Sequence, residues 1–214
     1  MNLQAVEEQT KVLADMGIMV LQIHRFGNGE VEHVSRLAKW ADFPPNAKII
    51  DMGSGTGEVA RIINSYRKDV SFCLVNLSPY QLSFSPEFKQ HCCDFRNVAE
   101  EDKTFDAAMF CFSIGHSNKI ESLREVYRLL KPGGILFIYD MIGYTNTAML
   151  SLEYEVNGRE VIEQCAKDAD FILDFYMEPQ DNGNFGRHLL GDHFKTIYGD
   201  TKAAIWRFIK NDNK

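Results

Sequence analysis

Residues 49–61 read Ile-Ile-Asp-Met-Gly-Ser-Gly-Thr-Gly-Glu-Val-Ala-Arg. An apolar strand end runs into a turn carrying Gly53, Gly55 and Gly57, and a helix starts at Glu58. Glycines let a backbone take positive φ and let a ligand come close. The helix start offers unpaired N–H groups. A strand–glycine turn–helix unit is how a parallel sheet holds a nucleotide-like ligand, so this stretch decides the fold.

The surrounding chain repeats the alternation. Upstream, Leu3–Met16 carries Val6, Thr10 and Leu13 on one side of a predicted helix, and Val31, Val34, Leu37, Ala38 and Ala41 recur at helical spacing. Pro44-Pro45 ends that helix and delivers the chain to a strand over Lys48–Met52. A helix is expected over Glu58–Tyr66 and a second strand over Val70–Leu77. Ser78 is a helix cap, with Pro79 at the first helical position. Strands follow at Phe88–Cys92 and Phe105–Phe112, then an amphipathic helix at Ile120–Leu130. Lys131-Pro-Gly-Gly134 stops that helix before a fifth strand at Ile135–Tyr139. Later, Asn157–Ala169 reads as helix, Phe171–Tyr176 and Ala203–Ile209 as strands. The polar segment Met177–Thr201, a candidate lid, lies between those strands. Such alternation implies a mostly parallel sheet covered on both faces.

The chain has 214 residues, 45% hydrophobic, which suits one domain with a full core. It divides into a helical cap (1–44), a cofactor-binding half (45–140) and a substrate-side half (141–214). No apolar run reaches about 18 residues, and the N-terminus lacks the basic and apolar parts of a signal peptide. No membrane partner is expected. A formal charge of -7 repels phosphate backbones, so nucleic acid is not the expected partner. The five cysteines are odd in number and form no C-x-x-C pair. They read as buried reduced thiols, which places the chain in the cytoplasm. Six scattered histidines show no metal-ligand spacing, and no metal site is expected. The sequence leaves oligomeric state open, including a homo-oligomer.

Three ligands compete for the glycine turn. A P-loop needs a Gly-Lys-Ser/Thr end that is missing here. A dinucleotide turn needs a third glycine where Glu58 stands, and a carboxylate there faces the pyrophosphate unfavourably. S-adenosylmethionine carries no phosphate but has a sulfonium and an amino group, both cationic. Asp51 and Glu58 suit that charge.

Asp51-x-Gly53-x-Gly55-x-Gly57 resembles motif I of class I S-adenosylmethionine-dependent methyltransferases. Val75-Asn76-Leu77-Ser78 resembles the strand end that holds the ribose, and Cys93-Asp94-Phe95 the station at the adenine. Phe105–Met109 followed by Leu129–Leu136 resembles the fourth strand and the turn before the fifth. The resemblance implies a Rossmann-like α/β fold of seven strands, mostly parallel, helices on both faces, the last strand antiparallel. It implies S-adenosylmethionine as cofactor, S-adenosylhomocysteine as product, and a cofactor set of Asp51, Gly53, Ser54, Gly55, Gly57, Asn76, Leu77, Gln81, Asp94, Phe95 and Cys111. Asn76 departs from the acidic residue usual at the ribose. Ser78-x-x-Gln81 resembles the S-x-x-Q of cyclopropane-synthase-like enzymes, so Gln81 is paired with Asn76.

The same pattern points to small-molecule acceptors, often methylated on carbon. Ile23-His24-Arg25, Leu77–Gln81 and Phe95-Arg96-Asn97 resemble stretches of geranyl diphosphate 2-C-methyltransferases. Phe112 replaces the acidic residue which that family places after strand four, which puts the prenyl acceptor in doubt. Mg²⁺ enters only if the acceptor is a diphosphate. An alkene carbon needs its cation sheltered and a proton removed afterwards. Oxygen or nitrogen acceptors need a base. His116, just past strand four, is the first candidate for that base. Glu153 and Glu155 are second candidates, and Tyr144 could line the acceptor pocket. His188 and His193 read as surface-loop residues, and His24 and Arg25 either bind an anionic acceptor group or pair with Glu30 or Glu32. The expected activity is C-methylation of an isoprenoid-like or other apolar small molecule. O- or N-methylation of a small metabolite, methylation of nucleic acid, and an idle cofactor-fold scaffold are the alternatives.

Overall fold

The central strands are largely apolar, as strands buried on both faces must be. The computed structural model describes residues 1–22, 24–143, 152–180 and 201–212. β1 (Lys48–Met52) buries every residue but its first, and β2 (Ser71–Asn76) does the same. β3 (Lys89–Cys92) is short and partly exposed, as an edge strand is. β4 (Phe105–Cys111), β5 (Leu130–Ile142), β6 (Phe171–Met177) and β7 (Lys202–Lys210) complete a seven-stranded sheet ordered β3-β2-β1-β4-β5-β7-β6. β7 runs antiparallel to both β5 and β6, and the pairs among β1 to β5 are parallel. The expected antiparallel last strand is thus present, inserted between β5 and β6.

Among the described residues six α-helices lie around it: α1 (Leu3–Asp15), α2 (Glu30–Ala41), α3 (Glu58–Tyr66), α4 (Pro79–Leu82), α5 (Lys119–Leu129) and α6 (Arg159–Asp168). Successive strand residues point to opposite faces, which gives two cores. Ile49, Leu74, Met109, Phe137 and Ile205 pack with Val34 and Leu37 of α2 and Ile63 of α3. Ile50, Val75, Phe110, Ile138 and Trp206 pack with Leu123 and Val126 of α5 and Ile162 of α6. Ser78 caps α4 by accepting from Gln81 N at 3.0 Å, with Pro79 in the first turn, as the sequence implies.

β5 starts earlier than its apolar run suggests. Leu130 already pairs with Phe105, and the register then jumps to Ala107 opposite Ile135. The Pro-Gly-Gly turn is absorbed as a bulge inside the strand. From β1 the sheet grows one way to β2 and β3, and from β4 the other way. Their shared carboxyl end is the crevice where open α/β sheets take ligands. Tyr144, His188 and His193, and residues 181–200 of the candidate lid, lie outside the described residues, as does Ile23. Among the described residues no helix is long and apolar enough to cross a membrane.

Candidate functional site

The crevice is shaped by the glycine turn. Gly53 and Ser54 donate their amides to Val75 O at 2.8 and 3.1 Å, which ties the turn to the end of β2. Gly53 sits at φ +84°, and a Cβ there would come within 2.5 Å of Ser113 Cβ. Gly55 sits at φ +56° with nothing within 4 Å of the same position, so its bare Cα faces open space. Only a residue without a side chain keeps that space free.

Beneath the turn, Asp51 at the end of β1 is 1% exposed. Its Oδ1 has no hydrogen-bond partner among the described residues, and neither has Ser54 Oγ. Burial pushes the Asp51 carboxyl up to about 7. A buried acceptor without a donor is costly, and it suits a cationic group arriving with a ligand. The amino group of S-adenosylmethionine fits this donor-poor hollow, and Gly55 leaves room for the rest.

Asn76 and Gln81 meet as expected, but with each other. Asn76 Nδ2 donates to Gln81 Oε1 at 2.8 Å and to Gly55 O at 3.1 Å, and Asn76 Oδ1 accepts from Ser78 N at 3.2 Å. Asn76 therefore braces the turn. Gln81 Nε2 donates to Thr10 Oγ1 of α1 at 2.7 Å, and Ser78 Oγ donates to Glu7 Oε1 at 2.5 Å. Thus α1 lies across the cavity, joined to α4 by hydrogen bonds. Thr56 Oγ1 donates to Met19 O at 2.9 Å, closing the segment after α1 onto the turn.

One cavity of about 170 Å³ joins these groups to an apolar chamber. Asp51, Gly53, Ser54, Gly55, Asn76, Leu77, Gln81, Phe95, Cys111 and His116 line it, all named by the sequence reading. Other candidates stand outside that lining. Gly57 starts α3 with its Cα packed toward Leu74 and Ser85. Asp94 pairs with Arg96 at 2.6 Å on the surface, which holds its carboxyl below the usual range. Glu153 is 63% exposed and pairs with the Met1 ammonium at 2.8 Å, so it is not placed to take a proton inside the cavity. Glu155 likewise pairs with Lys119 at 2.6 Å. His24 reaches Thr201 Oγ1 at 3.4 Å, and Arg25 lies beside Glu30 and Glu32 in a separate hollow.

The chamber is walled by Leu13, Ile18, Val20, Phe112, Met141 and Leu152. At its end two further groups meet, neither of them singled out from sequence. Tyr154 donates a short hydrogen bond to Asp140 Oδ1, which also accepts from Met141 N at 2.7 Å. Asp140 Oδ2 has no partner among the described residues. Burial pushes Asp140 up to about 6, and lifts the Tyr154 phenol well above its ordinary value. His116 stands edge-on to the Tyr154 ring, centroids 4.6 Å apart at 87°. Burial brings the His116 imidazole down to about 4, so it is neutral at pH 7. A lone carboxylate inside an apolar strand, Tyr139-Asp140-Met141, is the signal that marks Asp140. Tyr154 reaches the chamber only through the fold.

The chain matches, over residues 8–179, a family described as "hypothetical methyltransferase". Sterol methyltransferase-like 3 of Botryococcus braunii is 32% identical over 132 residues, 56% of this chain and 33% of that protein. A 25S rRNA (adenine(645)-N(1))-methyltransferase of Schizosaccharomyces pombe is 34% identical over 96 residues, 45% of this chain and 28% of that one. The chain thus spans about a third of the length of these relatives. The structure of a geranyl diphosphate methyltransferase in complex with GPP and sinefungin superposes with a TM-score of 0.73 at 14% identity, covering 84% of this chain and 79% of that one. At that identity the likeness is one of fold.

Proposed function

This chain belongs to the hypothetical methyltransferase family, and from that premise we propose that it transfers a methyl group from S-adenosylmethionine to an apolar small molecule, on carbon. The observation that carries the reading is the junction of two unlike spaces. A buried carboxylate under a glycine turn opens into a chamber of aliphatic and aromatic side chains.

The cofactor supplies an activated methyl on a sulfonium. Asp51 binds the cofactor's amino group, and Gly53, Ser54 and Gly55 provide the cradle. Phe95 and Leu77 offer apolar surface for the base, and Asn76 and Gln81 polar atoms for the ribose once Thr10 releases Gln81. The chamber excludes water, so the acceptor meets the methyl without competition from hydrolysis. Phe112 and Tyr139, whose centroids stand 4.5 Å apart, present ring faces and edges that shelter a developing cation. Tyr154 is the group that takes the acceptor's proton at its Oη, while its own proton passes to Asp140 Oδ1 along their short hydrogen bond. A carboxylate that titrates near 6 is a better-matched proton sink than an imidazole near 4. His116 then holds the Tyr154 ring rather than acting as the base.

A second reading, methylation of an RNA base, draws on the likeness to the rRNA methyltransferase. The apolar chamber and the charge of -7 favour the first. Calorimetry with S-adenosylhomocysteine tests the cofactor site. Incubation with labelled S-adenosylmethionine and parallel acceptors then separates the classes: a sterol, a linear triterpene, geranyl diphosphate with Mg²⁺, a small hydroxylated aromatic, and a structured RNA. Label in an isoprenoid supports the proposal. Label in the RNA alone refutes it.

A further inference from the structure

A second cluster of chemically capable side chains lies at the β2–β3 edge, and none of its members lines the cavity. β3 pairs with β2 so that Cys73 lies opposite Lys89 and Val75 opposite His91. Cys73, Lys89 and His91 therefore share one face of the sheet. The loop after β3 brings Glu100 onto that face. Its amide donates to Val98 O at 2.8 Å and its carbonyl accepts from Arg128 Nη1 at 2.7 Å, so the backbone is fixed on both sides. Cys73 Sγ, His91 Nε2 and a Glu100 carboxylate oxygen all lie within 4.8 Å of one another. His91 Nε2 is 2.5 Å from Glu100 Oε1, and Cys73 Sγ is 3.9 Å from it.

We propose that Cys73, His91 and Glu100 form a divalent-metal site of zinc type, separate from the methyl-transfer site and independent of its reading. No metal site is expected from the sequence, because the three residues are not at ligand spacing along the chain. Zinc holds thiolate sulfur at about 2.3 Å and imidazole nitrogen or carboxylate oxygen at about 2.0–2.2 Å in a tetrahedron, which puts neighbouring ligand atoms roughly 3.3–3.7 Å apart. The 2.5 and 3.9 Å contacts straddle that range and the third pair lies within 4.8 Å, so shifts of about 1 Å would complete the geometry. A sulfur–nitrogen–oxygen set selects zinc or a similar borderline ion over Mg²⁺ and Ca²⁺, which take oxygen throughout.

The charge balance also closes. Glu100 already attracts a cation here, the Lys89 ammonium, whose side chain is 61% exposed and can withdraw into solvent. On binding, the Cys73 S–H bond breaks, its proton leaves to solvent and a sulfur–metal bond forms. A thiolate, a carboxylate and a neutral imidazole around a divalent ion sum to zero, which suits a half-buried position. Cys73 is 3% exposed and the Glu100 side chain 9%, while His91 at 18% is the member nearest solvent, from which a water would supply the fourth ligand. The ion would staple edge strand β3 and the Glu100 loop to β2, whose end carries Asn76.

The test is a Co²⁺ titration of the full chain after chelator treatment. The expected result is one equivalent bound with a near-ultraviolet thiolate-to-cobalt band that Zn²⁺ displaces. Cys73→Ser should abolish the band, and His91→Gln or Glu100→Gln should weaken binding by about 100-fold or more. Cys165→Ser, outside the cluster, should leave it unchanged. Zn²⁺ should raise the Tm of the unaltered chain and not of the variants. No saturable band at millimolar cobalt, or the same band in Cys73→Ser and His91→Gln, would overturn the proposal and leave Glu100 as an ion-pair hub. If Cys73→Ser fails to fold by circular dichroism, the His91 variant decides, since that side chain is the most exposed of the three.

Discussion

Replacing Asp51 by Asn should make the free protein more stable and at the same time disable it. Asp51 is fully buried, and its carboxyl is raised from 3.8 to about 7 by burial alone. Between those values the folded chain keeps a proton that the unfolded chain has shed. Stability therefore falls as pH rises through that window, by about 1.36 kcal/mol per pH unit. Over roughly three units this reaches ~4 kcal/mol, and relaxation of a real interior brings it toward half of that. Asn carries no charge and escapes the cost. Urea unfolding at about pH 4 and pH 8, without ligand, should show Asp51→Asn gaining roughly 2–4 kcal/mol on the unaltered chain between the two conditions. The pH dependence contributed by Asp140 is common to both proteins and cancels. Calorimetry on the same samples should show S-adenosylhomocysteine binding weakened by about 100-fold, the cost of leaving an ammonium without its buried partner. In the unaltered chain affinity should fall about tenfold per unit as pH drops below 7, because the ligand needs the ionised carboxylate, while the variant should be flat. A variant less stable than the parent at pH 8, or one that binds the ligand normally, would refute the placement of the cofactor's amino group over Asp51.

Gly55→Val should abolish S-adenosylhomocysteine binding and cost about 1–2 kcal/mol of stability, because a branched residue is forced to positive φ and fills the open space above the turn; normal affinity by calorimetry would place the ligand elsewhere. Tyr154→Phe should lower turnover by about 100-fold with cofactor affinity unchanged, in single-turnover assays with the identified acceptor. His116→Phe keeps an edge-on ring against Tyr154 and should hold turnover within about threefold, whereas a hundredfold loss there would restore His116 as the base. Thr10→Val releases Gln81 from α1 and should speed ligand association in stopped-flow fluorescence, with little change in melting temperature; an unchanged rate would mean that α1 does not gate the cavity.

Most of the sheet was legible because its signals are local. β1 and α3 fall on the residues expected, since the apolar Ile49-Ile50 pair, three glycines and an amphipathic helix leave little choice. The Ser78-Pro79 cap likewise reads directly from residue chemistry. β5 was harder, because only pairing with β4 could show that Leu130 joins the sheet before the Pro-Gly-Gly turn. Among the site residues, those attached to the glycine turn were readable by position. Asp94 and Glu153 were not, since an ion pair with Arg96 and one with the Met1 ammonium hold them on the surface.

By itself the sequence determined the alternating sheet, the glycine turn and the acidic group beneath it, because these rest on periodicity, on glycine's freedom at positive φ and on charge. Only the tertiary structure decided that Asn76 and Gln81 bond to each other, that Thr10 of α1 closes over them, that Tyr154 reaches Asp140, and that Cys73, His91 and Glu100 meet at one edge. Each of those contacts joins separate elements or loops of the chain. Their geometry is fixed by how helices and strands pack, which no local pattern encodes.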